Sequence, residues 1–375
     1  MRDVLADLMA AWRAGADAGL ATVVHAFKSA PRLPGAAMLV AGDGTVSGSV
    51  SGGCVEGDVY ETARRVLDSG QAELHRYGFS DDDAFAVGLT CGGIIDVFVE
   101  PVSPATYPEL GEVAAAIEAG VPVAVAVVVE HEDAARVGRH LVVFADRTAG
   151  SLGSERTDHA VTDDARGLLA TGRNRMLTYG LDGQRMEDGM RVFVSCFAPP
   201  PRMLVFGAID FAAALARQGH MLGYRVTVCD ARGVFATRAR FPEADEVVVD
   251  WPHRYLQAEV EAGNVDARTV IAVLTHDPKF DVPVLQVALP LDVAYIGAMG
   301  SRLTHVDRLE RLRSAGVSEE LLGRLHSPIG LDLGARTPEE TAVSIAAEII
   351  AVQWGGGKAP LRETTGRIHH DDLVG

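Results

Sequence analysis

The sequence predicts a two-domain α/β protein: an amino-terminal α+β domain made of two degenerate repeats, then a carboxy-terminal doubly wound parallel sheet of the Rossmann type. Three observations predict it. The front half matches itself at a spacing of 102 residues, the distance between Gly78 and Gly180. After Ala198-Pro-Pro-Pro201, a stiff connector, strand and helix patterns alternate as in βαβ units. Gly207 and Asp230 stand at the ends of the first two of those strands, where such sheets carry a phosphate-turn glycine and a ribose-binding acid. The expected boundaries are 1–198 for the first domain, with repeats at about 20–101 and 122–196, then 199–357 for the second and 358–375 for a polar tail.

In the repeats, Leu39 pairs with Leu141, Gly48 with Gly150, Ala63 with Ala165, Leu67 with Leu169, Gly70 with Gly172 and Tyr77-Gly78 with Tyr179-Gly180, all at the one spacing. Val97-Phe98-Val99 then matches Val192-Phe193-Val194 after a gap. Each copy reads as strand, strand, Gly-rich loop, helix, strand and closing strand. The copies differ where chemistry would sit. Copy one has Gly48-Ser-Val-Ser-Gly-Gly-Cys-Val-Glu56 before its helix, whereas copy two has Gly150-Ser-Leu-Gly-Ser-Glu-Arg-Thr-Asp158. Leu89-Thr-Cys-Gly-Gly93 has no counterpart at all. The asymmetry points to a site in the first copy; neutral drift between two structural halves is the bland alternative.

Val55, Val59, Ala63, Val66 and Leu67 recur at a helical period, which puts Cys54 at the amino end of a helix. Unpaired N–H groups and the helix dipole there favour an anion, either a phosphate or the thiolate itself. Gly52 and Gly53 would let the chain turn with positive φ and approach a ligand. Cys91, followed by Gly92 and Gly93, sits in a second open loop, so two glycine-flanked thiols suggest one shared site. Each could equally be a small buried hydrophobe. Cys196 and Cys229 lie in strand patterns and read as core. Arg32, in the turn-rich Ser29-Ala-Pro-Arg-Leu-Pro-Gly-Ala36 loop, is a candidate phosphate clamp or a plain surface cation.

In the back half, strands are expected at Met203–Phe206, Arg225–Cys229, Glu246–Val249, Val270–Leu274 and Val293–Ile296, with a helix at Phe211–Gln218. The turn after the first strand reads Gly207-Ala-Ile-Asp-Phe-Ala212. Ile209 replaces the glycine over which a pyrophosphate would lie, and Asp210 adds negative charge, so the fold is supported more than dinucleotide binding. Later strand ends carry His276, a candidate acid or base, and the run Gly297-Ala-Met-Gly300-Ser301-Arg302, whose arginine is a candidate phosphate clamp. Ser301 could instead only start a helix. The last helix opens on Thr337-Pro-Glu-Glu340, a capping box, and presents Ala342, Ile345 and Ile349 as a packing face.

Composition narrows the function. At 375 residues, with 48% hydrophobic and 23% charged side chains, the chain can bury sizeable cores. A net charge of −17 repels phosphate backbones and anionic lipid, which argues against nucleic-acid and membrane-surface partners. The 4 cysteines include no CxxC pair, so neither a disulfide scaffold nor a zinc ribbon is expected. The amino terminus lacks a signal core, and a cytoplasmic protein without membrane insertion is expected.

Taken together, the Ser29–Ala36 loop, Gly48–Glu56, Leu89–Gly93, Phe241-Pro242, Tyr295-Ile-Gly297 with Gly300-Ser-Arg302, and His326-Ser-Pro-Ile-Gly-Leu-Asp-Leu-Gly334 leading to Thr337-Pro-Glu-Glu340 resemble the xanthine dehydrogenase accessory factor family, XdhC/CoxI. The resemblance implies a protein that binds molybdenum cofactor and assists its maturation or insertion into a molybdenum hydroxylase such as xanthine or carbon monoxide dehydrogenase. The apoenzyme would be its partner, and a cysteine desulfurase a further one. Carried over, Cys54 and Cys91 become metal or sulfur contacts, with Gly52, Gly53, Glu56, Gly92, Gly93 and Arg32 around them; Gly207, Asp230, His276, Gly297, Gly300, Ser301 and Arg302 are the cofactor-binding candidates of the second domain. The family usually has glycine then histidine where this chain has Ile209 and Asp210, and its single front copy is here doubled. A chaperone without turnover is the leading expectation, and an NAD(P)-dependent oxidoreductase the alternative. A homodimer is expected only because two-fold assemblies are common.

Overall fold

The computed structural model describes residues 1–27, 32–78 and 93–365. It divides into two compact units between Pro199 and Pro200. No helix among the described residues is long and apolar enough to cross a membrane.

The first unit opens on α1 (Leu5–Arg13), then β1 (Ala18–Phe27), β2 (Ala37–Ala41), β3 (Val46–Gly48), α2 (Glu56–Ser69), β4 (Glu73–Tyr77) and β5 (Ile94–Val102). The same series follows as α3 (Leu110–Glu118), β6 (Val123–His131), β7 (His140–Val143), β8 (Thr148–Gly150), α4 (Glu155–Thr171), β9 (Arg175–Tyr179) and β10 (Met190–Phe197). The sheets have the orders β3-β2-β1-β5-β4 and β8-β7-β6-β10-β9, antiparallel throughout. Sequence periodicity missed the short third strand of each copy, whose three residues are too few to show a pattern.

Both faces of each sheet are covered, which is why β1, β5 and β6 are apolar nearly throughout. One face of the first sheet packs Ala21, Val23, Val97 and Val99 against Val59, Ala63 and Val66 of α2. The equivalent face of the second packs Ala126, Val192 and Val194 against Val161 and Ala165 of α4. The opposite faces meet through Val24, Phe98, Val127, Val129 and Phe193. The result is four layers, helix on sheet on sheet on helix. Both helices close on a left-handed glycine, Gly70 at φ 69° and Gly172 at φ 67°.

The repeat spacing is not constant, however. Met38, not Leu39, occupies the helix-facing place that Leu141 holds in the second copy: Met38 pairs with Ala21 and Gly48, and Leu141 with Ala126 and Gly150. Leu39 and Val142 both face the sheet–sheet core. The β2–β3 hairpin of the first copy is one residue longer, closing Ala41 N–H on Thr45 rather than, as in the second, Phe144 N–H on Arg147. A one-residue slip in a strand turns every side chain to the other face, so the burial pattern decides the alignment where identity of letters misled.

The second unit contains β11 (Arg202–Phe206), α5 (Asp210–Met221), β12 (Arg225–Cys229), β13 (Glu246–Val248), α6 (Pro252–Glu261), β14 (Val270–Val273), α7 (Pro278–Ala288), β15 (Tyr295–Ala298), α8 (Arg302–Ser314), α9 (Glu319–Leu322), β16 (Leu325–His326) and α10 (Pro338–Trp354). Its sheet is parallel, in order β13-β12-β11-β14-β15-β16, the 3-2-1-4-5-6 order of a Rossmann domain. Residues of α5 and α10 cover one face, and those of α6, α7 and α8 the other. The capping box at Thr337 and Glu340 forms as expected. The two-residue β16 was not visible in the sequence.

Candidate functional site

The loop from Gly48 to Val55 is organised by one side chain. The Glu56 carboxylate accepts hydrogen bonds from the hydroxyls of Ser49 (2.6 Å) and Ser51 (2.5 Å). It also accepts from the N–H groups of Val50 (3.2 Å), Ser51 (2.8 Å), Gly52 (3.0 Å), Gly53 (2.8 Å) and Val55 (3.2 Å). Burial pushes this carboxyl up, but the Ser49, Ser51 and backbone donors outweigh it and hold it at about 2. The anion expected at this helix entrance is therefore supplied by the chain itself. Glu56, expected to face a cofactor, points into its own loop, and the same N–H groups are not left over for a phosphate.

The second copy shows what this arrangement changes. Asp158, the counterpart of Glu56, accepts only from the Ser151 hydroxyl (2.7 Å) and Leu152 N–H (2.8 Å). There α4 begins at Glu155, capped by Ser154, which is three residues earlier than the corresponding start of α2 at Glu56. Arg156, at the place of Cys54, lies inside a helical turn, whereas Cys54 stands ahead of its helix. Gly52 and Gly53 have φ of 82° and 117°, and a Cβ on either would meet nothing within 4 Å, so they are needed for backbone direction and not for close packing.

Cys54 is half-buried and packs with Ala26, Ala36 and Tyr60 on the core under α2. The motif-bearing segments converge on that end of the first sheet: Phe27 pairs with Ile94, Tyr77 pairs with Ile95, and the Tyr77 hydroxyl donates to Asp58 in the first turn of α2 (2.7 Å). Cys91 and Gly92 lie outside the described residues. Gly93 is buried, and its carbonyl lies against Gly78, where a Cβ would collide with it. Arg32 is partly exposed and directs its guanidinium to Asp3, 3.9 Å away. Among the described residues no three His, Cys, Asp or Glu side chains could share a metal ion.

The second copy buttresses this end. Asn174 donates to the Pro34 carbonyl (2.8 Å) and accepts from Cys196 N–H (2.7 Å), leaving no room for a side chain at Gly35. Arg191 donates to Asp96 (3.2 Å), a buried carboxylate that also takes Arg76 in two bonds of 2.6 and 2.9 Å. Burial would raise Asp96, but Arg76 and Arg191 bring it below its ordinary value. Sequence reasoning passed over Asp96, although an acid between Ile95 and Val97 in a strand covered on both faces was the available signal. Cys196 and Cys229, read as core, are respectively half-buried and buried, and burial pushes both thiols up to about 12.

In the second unit the turn after β11 is likewise internally occupied. Asp230 accepts from Ala208 N–H (2.8 Å), Arg232 N–H (2.8 Å) and the Arg232 guanidinium (2.9 and 2.7 Å). Asp210 pairs with Arg240, which also donates to the Ala208 carbonyl. A Cβ on Gly207 would press on Thr275 at 3.0 Å, so this glycine serves the packing of β11 against the end of β14. His276 and Arg302 are exposed. Ser301 caps α8 through Thr304 N–H, and Gly297 makes room for Ile329 and Tyr295. Gly300, at φ 155°, lets the chain pass Thr304, whose side chain would stand 3.0 Å from a Cβ there.

Two buried groups escaped the sequence reading. Arg308 joins Asp281 (2.8 Å), the Met299 carbonyl and Ser327. Glu348, on the helix read purely as packing, accepts from the Tyr295 hydroxyl (2.6 Å) and Gly330 N–H (2.7 Å) beside His326.

Fold and site thus define a class: a doubled helix–sheet unit whose first copy carries a thiol in the loop ahead of its helix where the second does not, followed by a Rossmann unit. Comparison with known proteins gives that class its family. Residues 203–349 match the XdhC Rossmann domain, and residues 11–78 and 116–180, one stretch in each front copy, match the XdhC and CoxI family. The chain belongs to the XdhC and CoxI family. It is 29% identical over 336 residues to a Bacillus subtilis protein named as a probable subunit of xanthine dehydrogenase, covering 89% of this chain and 92% of that one. It is 26% identical over 354 residues to the "Molybdenum cofactor insertion chaperone PaoD" of Escherichia coli, covering 94% and 88%. A crystal structure of a xanthine dehydrogenase from Bacillus halodurans matches with a TM-score of 0.66 at 25% identity, covering 95% of this chain and 97% of that one.

Proposed function

We propose that this protein is an accessory factor that binds molybdenum cofactor and assists its maturation or insertion into a molybdenum hydroxylase apoenzyme, with Cys54 as a sulfur or metal contact. The observation that carries the reading is the difference between the two copies of one loop. Only the first unwinds the start of its helix, and the residue so set apart is a thiol beside two exposed glycines. A soft sulfur donor suits a metal already held by dithiolene sulfurs. When bound, the cofactor would supply the redox-active metal that the client enzyme needs. The protein's own residues would bind and orient it: Cys54 would offer the sulfur, and the exposed Gly52 and Gly53 put no side chain in the way. The phosphate of the pterin is not assigned to the Gly48–Val55 loop, because Glu56 already engages its donors.

A nicotinamide-dependent enzyme is the weaker reading. Asp230 is tied to Arg232 and Ala208, while Ile209 and Asp210 stand where a pyrophosphate would approach. The deciding experiment incubates the purified full-length protein with molybdenum cofactor, and separately with NADH and NADPH, followed by gel filtration. Molybdenum and pterin should co-elute with the protein, and Cys54→Ser should lower the amount retained about tenfold. Retention of the nucleotides alone would overturn the proposal.

A further inference from the structure

We propose that Glu56 is the positioning residue of this site: its carboxylate acts as a built-in anion that keeps the Gly52-Gly53-Cys54 segment off the end of α2 and so sets where the thiol stands. The inference deepens the reading of Cys54 given above, and for its meaning in function it rests on that reading. Its geometry does not.

Seven donors, five N–H and two hydroxyl groups, converge on the two carboxylate oxygens of one side chain. Such a concave array of N–H groups is the arrangement that binds anions. Ser51 extends it, since its hydroxyl accepts from Cys54 N–H (2.9 Å) and Val55 N–H (3.1 Å) while donating to Glu56. The N–H groups of Gly52, Gly53, Cys54 and Val55 thus all turn toward the Glu56 and Ser51 side chains, with Gly52 and Gly53 at positive φ, a path that a helix continued backwards through Cys54 could not keep. The second copy serves as the internal control. An aspartate, shorter by one methylene, reaches one N–H and one hydroxyl there, and the helix extends three residues further toward the loop.

The test needs no cofactor. In the full-length protein, Cys54 alkylation by N-ethylmaleimide is followed by mass spectrometry, with Cys196 of the same unit as the reference thiol. Glu56→Ala should change the Cys54 rate about tenfold or more while leaving Cys196 unchanged, and should speed hydrogen exchange at Gly52, Gly53 and Val55. Removing the side chain leaves its donors converging on a vacated space, so formate or acetate should restore the original Cys54 rate saturably in Glu56→Ala and have no effect on the unaltered protein. General destabilisation would move both cysteines together and would not respond to formate. An unchanged Cys54 rate, parallel changes at Cys196, or absence of rescue would each overturn the proposal. Failure of Cys54→Ser to lower cofactor retention would instead overturn the functional reading and leave this result standing.

Discussion

Individual side chains here are most informative where a buried carboxylate has chosen its partners. At Glu348, burial pushes the carboxyl up, but the His326 ring 3.6 Å away and the hydrogen bonds from Tyr295 and Gly330 N–H outweigh that and hold it at about 2, against an ordinary 4.5. A carboxyl with a depressed folded value adds stability in full above its unfolded value and loses it as pH falls through the folded one. The Glu348 contribution should therefore be complete above about pH 4.5 and disappear between there and about pH 2, amounting to roughly 3 kcal/mol at about 1.4 kcal/mol per unit. Urea unfolding of the protein and of Glu348→Gln across that range should converge at the acid end; parallel curves would show the assignment to be wrong. Asp96, Asp230 and Glu56 follow the same pattern: Asp96 is kept ionised by arginines from distant strands, Asp230 chiefly by Arg232 two residues on with Ala208 N–H, and Glu56 by the loop that precedes it.

At the scale of the element, the start of α2 is where local signals and tertiary contacts diverge. Its helical period and the place of Cys54 at its amino end were legible, because amphipathic spacing and glycine signals are local. What occupies that end was not: phosphate or thiolate was expected, and the carboxylate of the helix's own first residue, Glu56, is found. Gly53, at φ 117° with open space where a Cβ would go, is held there by backbone conformation alone. Gly53→Ala should consequently cost about 1–3 kcal/mol, the penalty for a strained non-glycine residue, in the urea midpoint of unfolding. Gly57→Ala, at a helical position with equally open surroundings, should not destabilise. Equal midpoints for the two variants would remove the conformational explanation.

For the whole first unit, the duplication is visible in the letters, yet the two copies do different work. The second contributes Asn174 and Arg191 to the end of the first sheet that carries the thiol loop. The copies are also joined in their shared interior. His140 Nε2 lies 3.0 Å from Glu100 Oε2, with their side chains only 5% and 7% exposed, and the Tyr107 ring stacks on the imidazole at 3.8 Å. Deleting the imidazole leaves the buried Glu100 without its nearest partner and Tyr107 without its stacking face, so His140→Ala should destabilise the unit by about 1–3 kcal/mol. Differential scanning calorimetry that finds the unit's transition unmoved would refute this.

The amino-acid sequence by itself determined the doubled front half, the parallel Rossmann sheet behind it, the family, and the loop in which the two copies part company. All of these rest on periodicity, glycine placement and short-range motifs, which act between residues close along the chain. Tertiary structure alone decided that β2 and β7 align one residue away from the apparent match, that Glu56 and Asp230 are satisfied internally, and that Asp96 and Glu100 find partners in the other copy. The reason is physical: a strand's face depends on hairpin length, and a carboxylate takes whichever donors folding brings within about 3 Å, wherever they lie in sequence.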